Sequence, residues 1–139
     1  MDLSAINFLS VIVSGVVAFL IGFLWYSPLF GKAWQRELGF TDEYIQKGNM
    51  PLIFGSSLIL MIVMAFGMAF MVQAHGGDDM DWKQGLLHGL YVGVFFVATS
   101  YGINLLYQRR SIKLWAIDAV YQVLFLCVMG AILGGWDRF

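Results

Sequence analysis

Residues 5–26 read AINFLSVIVSGVVAFLIGFLWY, a stretch without a charged side chain that closes on a tryptophan–tyrosine pair. A helix needs roughly 20 mostly apolar residues to cross about 30 Å of hydrocarbon, so this stretch predicts a membrane-spanning helix. Its end is expected at Tyr26, because Ser27, Pro28 and Gly31 come next and proline cannot continue a helix ladder. Trp25, Tyr26 and Trp34 mark an interfacial aromatic belt. The start, Met1-Asp2-Leu3-Ser4, lacks a basic n-region, and no clear small-x-small cleavage site precedes the aromatic end, so the first span is expected to be retained.

The same pattern recurs along the chain. Charge-free runs occupy 3–31, 48–77, 84–108 and 119–136, the last extended back to Leu114, and they leave little sequence over. Of the 139 residues, 60% are hydrophobic and 12% charged, about half the charged share of a soluble domain. This excludes a soluble Rossmann or barrel enzyme, a disordered tail and a disulfide scaffold. The fold class is therefore an all-α integral membrane protein: a single transmembrane domain, 1–139, with a compact bundle of spans near 5–26, 52–73, 85–107 and 114–135. Pro51 suits a first-turn position, and Asp81 an N-cap ahead of the third span. Trp115 and Trp136 bracket the fourth. Period-2 alternation is absent, so the pattern does not fit a membrane β-barrel.

Charge sets the expected orientation. Lys32, Arg36 and Lys47 lie between spans 1 and 2, and Arg109, Arg110 and Lys113 between spans 3 and 4. The opposite side has Lys83, with Asp78, Asp79 and Asp81 nearby, and Arg138 at the carboxyl end. That bias puts both termini outside the cytoplasm of a bacterial inner membrane and argues against dual-topology insertion. Between Gly31 and Met50, Thr41 can cap a short helix with Asp42 and Glu43 in its first turn and Gly48 past its end. The mixed charges and aromatics suit a short cytoplasmic helix at the interface, read first as a packed connection and second as a recognition element. A net charge of −1 without a basic stripe gives no nucleic-acid footprint. The single cysteine, Cys127, can form neither an internal disulfide nor a cysteine-rich metal site.

Polar and small residues within a span usually face other helices. At about 100° per residue, Asn7, Ser10, Ser14, Ala18, Gly22 and Trp25 share one side of the first span. Gly85, Gly89 and Gly93 share one side of the third, a side that continues through Ser100, Asn104 and Tyr107. The fourth ends in Gly130-x-x-x-Gly134. These residues predict helix packing, and Val92 and Phe95 are expected on the lipid side.

Asp118 is the carboxylate inside a span, with Gln122 one turn on and Tyr121 adjacent. Ser56, Ser57 and Ser100 fall at comparable depth, and Asn104, Trp25 and Tyr26 nearer the cytoplasmic edge. An ionised carboxylate there is costly unless paired. Asp118 should therefore be protonated, bond to Asn104, Ser100 or Tyr26, or meet a Lys or Arg from the adjacent loop. It either handles a proton or cation, or locks helices by a hydrogen bond or a salt bridge with Lys113. His75 and His88 could clamp a metal or haem from antiparallel helices, but without a third ligand they read as ordinary interfacial histidines. Asp78-Asp79-x-Asp81 lacks the glycine and distal glutamate of a calcium loop. No catalytic residue, metal ligand or cofactor is predicted.

The string Gly22-Phe23-Leu24-Trp25-Tyr26-Ser27-Pro28-Leu29-Phe30-Gly31-Lys32-Ala33-Trp34 resembles the signature of the small, mostly bacterial membrane proteins catalogued as domain-of-unknown-function family 1761. The likeness continues through Thr41-Asp42-Glu43, the Met-rich second span and Asp118-x-x-Tyr121 before Gly130-Ala131-Ile132-Leu133. The resemblance implies a four-helix integral membrane protein and brings no activity or site residue with it. Foremost among three functional readings is a homo-oligomeric transporter or channel for a small solute or ion. Next comes a structural or accessory subunit of a larger membrane complex, and last a membrane enzyme acting on a lipid or quinone. The partners expected are the lipid bilayer and either further copies of the chain or another membrane protein.

Overall fold

A computed structural model describes residues 3–76 and 79–136, all helical or connecting, with no strand among them. Asp78 and Arg138, expected on the outer side, lie outside the described residues, as do Met1 and Asp2. The helices are α1 (Phe8–Leu24), α2 (Gly31–Leu38), α3 (Asp42–Gln46), α4 (Met50–His75), α5 (Trp82–Val92), α6 (Thr99–Tyr107) and α7 (Ile112–Gly135). Wide π turns extend α1 (Trp25–Leu29) and fuse α5 to α6 (Gly93–Ala98). The resulting segments Phe8–Leu29, Met50–His75, Trp82–Tyr107 and Ile112–Gly135 are each long and apolar enough to cross a membrane. The chain is thus an all-α protein of four membrane-length helices.

Each boundary has a local cause. Asn7 caps α1 through Leu9 and Ser10 N–H, so the helix begins at Phe8 rather than Ala5. Pro28 does not end the first span at Tyr26. Phe30 N–H bonds the Trp25 carbonyl five residues back, at 2.8 Å, and this wider turn accommodates Pro28 within the segment. The connection expected to hold one short helix holds two. Gly39, at φ 71°, closes α2 in the left-handed region, and Thr41 caps α3 through Tyr44 N–H. Asn49 caps α4 with Pro51 in its first turn, Asp81 caps α5 in a capping box with Gln84, and Ser111 caps α7.

The fourth span is the hub of the bundle. Half of its most apolar stretch is buried, against 28% for the first span and 17% for each of the others. It packs against α5 along most of that helix and also against α1 and α4. The seam with α5 is backbone on backbone. A Cβ at Gly85 would strike the Gly130 carbonyl oxygen, one at Gly89 the Leu126 carbonyl oxygen, and one at Gly130 the Gly85 carbonyl oxygen. Leu126, Met129, Ala65 and Ser14 are buried at the centre. Leu9, Phe23, Leu60, Val63 and Phe95 face outward, as lipid contact requires. Val92, expected on the lipid side, instead packs partly buried against the core.

Candidate functional site

Asp118 is 5% exposed and holds two hydrogen bonds from two other spans. Tyr26 hydroxyl, from the first π turn, donates to Oδ1 at 2.5 Å; Tyr101 hydroxyl, from α6, donates to Oδ2 at 2.7 Å. The carboxylate therefore joins the first, third and fourth spans, with one donor on each oxygen. Lys113 does not reach it, but pairs with Glu37 at 3.5 Å.

Aromatic rings close the surroundings. Tyr121 lies 5.0 Å from the Tyr26 ring, edge to face, and 6.2 Å from Trp25. Its hydroxyl faces the Ala18 carbonyl at 3.5 Å and occupies the space that Gly22 leaves. Trp25 Nε1–H donates to the Ile117 carbonyl at 3.1 Å, and Trp115 Nε1–H donates to the Ala98 carbonyl at 2.9 Å. Gly102 lies flat against the Trp115 indole, where a Cβ would fall 2.8 Å from Nε1. Of the first-span face, Ser10, Ser14 and Ala18 are buried, Gly22 and Trp25 are half-buried, and Asn7 forms the cap.

Ser100, Asn104 and Gln122 are brought together, but none of them bonds Asp118. With Phe96, Val97 and Tyr101 they line an open groove of about 340 Å³ between α6 and α7. The displacement has a mechanical cause: steps of about 100° from Gly93 lead to Ser100 and Asn104 on the packed face. The π turn inserts a residue and rotates the rest of the span, so that Ala98 and Leu105 are buried, Tyr101 turns inward and Ser100 and Asn104 turn outward. Gly93 lies before this shift, and a Cβ there would fall 3.0 Å from Val123 Cα. A Cβ at Gly134 would fall 2.8 Å from the Asp81 carbonyl oxygen. Ser56 sits elsewhere, exposed on α4 and bonded to the Leu52 carbonyl. Sequence reasoning misses Tyr101 for want of any local signal of the π turn.

The other end of the bundle brings His75 and His88 together, ring centroids 5.1 Å apart. Each Nδ1–H donates to the carbonyl one turn earlier, Met71 and Gln84 respectively, at 2.8 Å. Among the described residues no group of three or more His, Cys, Asp or Glu side chains converges.

Outside the spans, Glu37 ties α2 to the start of α7. Ser111 hydroxyl donates to Oε2 at 2.5 Å and Lys113 faces Oε1. The Ser111 hydrogen bond first, and then the Lys113 charge, hold the Glu37 carboxyl below its ordinary value. A lowered folded-state pKa contributes stability above the unfolded value, about 4.3, and that contribution is lost as pH falls through the folded value. Acidification below that range should lower the wild-type melting midpoint more than that of Glu37→Gln, by a few degrees at most; parallel curves would remove the tie.

Four membrane-length helices with a carboxylate held between three of them define a small multi-span membrane protein. Residues 9–134 match the family described as Protein of unknown function (DUF1761), and the chain belongs to that family. Neither a curated protein nor a solved structure matches it.

Proposed function

We propose that the chain is the protomer of a homo-oligomeric transporter or channel for a small solute or ion, with Asp118 handling charge. The observation that carries this reading is the shared position of Tyr101. It donates to Asp118 and also forms part of the wall of the open polar groove, linking a shielded carboxylate to an accessible surface. A carboxylate between membrane helices is expensive to keep, and its common uses are ion and proton pathways. Purified protein in vesicles should show pH-dependent flux of a member of a broad panel of small cations and solutes. No flux across that panel would remove the reading.

A second reading, an accessory subunit of a larger membrane complex, draws on the fact that both Asp118 oxygens already hold helix-joining bonds. Asp118→Asn would then leave the assembly and every measurable activity unchanged.

The orientation proposed with the transport reading puts both termini outside the cytoplasm of a bacterial inner membrane. The basic residues of the two inner connections share one end, as the Glu37–Lys113 pair indicates. In a Cys127→Ala chain, single cysteines at Lys47 or Arg110 should be shielded from an impermeant thiol reagent in intact cells, while cysteines at Ala74 or Lys83 label. The reverse pattern would invert the orientation.

A further inference from the structure

The groove between α6 and α7 presents polar chemistry where a bilayer offers no partner. Gln122 lies near the middle of the 24-residue α7, and Ser100 and Asn104 lie along the facing side of α6. Among the described residues, none of these three side chains has a hydrogen-bond partner. At mid-span the Gln122 carboxamide loses its water bonds to hydrocarbon and gains nothing in return, while Asn104 lies closer to the membrane edge, three residues from the end of its span. Such groups drive helices together, because another helix supplies the missing donors and acceptors.

We propose that a second copy of this chain docks on the groove through the same face, making a two-fold interface in which Gln122 and Asn104 bond their counterparts. The chemistry selects a like partner. A carboxamide carries both donors and an acceptor, so an Asn or Gln side chain is complementary to its own copy across a two-fold axis. The groove carries no charged side chain, which disfavours an ionic lipid headgroup as its occupant. Phe96, 59% exposed at its edge, supplies the apolar contact area that a helix interface needs. Closing two grooves on each other forms one enclosed polar chamber, with a Tyr101 on each wall leading to an Asp118. One chain leaves that chamber open on its lipid side. What the chamber carries rests on the transport reading above; the interface itself does not.

The test uses the full chain with Cys127→Ala, carrying Ser100→Cys or Asn104→Cys, oxidised in native membranes. Both variants should give a disulfide-linked dimer, while Leu60→Cys, on the exposed side of α4, should remain monomeric. With donor- and acceptor-labelled protein diluted in vesicles, Gln122→Leu should weaken association roughly tenfold while leaving the helical spectrum unchanged. Failure of both groove cysteines to crosslink, or wild-type monomers at every dilution, would overturn the interface. Crosslinking without solute flux supports the interface and removes only the transport reading. Flux from a dilution-proof monomer removes the interface and the homo-oligomeric part of the transport reading, and leaves transport itself standing.

Discussion

Gly89→Leu should prevent the bundle from assembling. A Cβ at this position would meet the Leu126 carbonyl oxygen, and its neighbours in that direction are backbone atoms of α7 rather than movable side chains. The fourth span would have to move away from α5 over the length of their seam, which joins the hub of the fold to the third span. Overpacking of a fixed core typically costs up to about 3 kcal/mol, and here no flexible neighbour can yield. Phe95→Leu, at a site 62% exposed toward the lipid side, should change the melting midpoint little. Helical content and melting in detergent distinguish the two. Equal tolerance at both sites would contradict the backbone-on-backbone seam.

Asp118→Leu should be the most damaging substitution within the site, and Asp118→Asn one of the mildest. Leucine removes both acceptors at once, leaving the Tyr26 and Tyr101 hydroxyls without the bonds that join three spans. Stranding such groups costs about 3 kcal/mol. Asparagine keeps the size and an acceptor for one tyrosine, and its amide can turn toward the other, whose hydroxyl also has lone pairs to offer. Thermal unfolding should therefore rank wild type above the Asn variant by a small margin and the Leu variant far below. A Leu variant as stable as wild type would show that the carboxylate does not join the helices.

The four spans, and the caps at Thr41 and Asp81, were legible in the sequence because each depends on local chemistry: charge-free length, or an oxygen-bearing side chain ahead of a helix. Tyr26 could be picked out beside Asp118 because both lie toward the same edge of the membrane. Tyr101 could not, since its inward turn depends on the π turn at Gly93–Ala98, and no residue in Gly93-Val94-Phe95-Phe96-Val97-Ala98 compels one. The same inserted residue carried Ser100 and Asn104 off the glycine face and into the groove. Pro28 misled in the opposite direction. It reads as a stop, yet the Trp25–Phe30 bond widens the turn enough to hold it. The nearness of His75 and His88 was legible, because one ends the second span and the other begins the antiparallel third.

The transport of charge through Asp118 is tested most directly by proton-linked flux in vesicles containing equal amounts of folded wild-type and Asp118→Asn protein under an imposed pH gradient. The account predicts flux that tracks the gradient for wild type and flux at the level of empty vesicles for the Asn variant, with melting lowered only by the small margin above. Undiminished flux through a normally folded Asp118→Asn protein would contradict it.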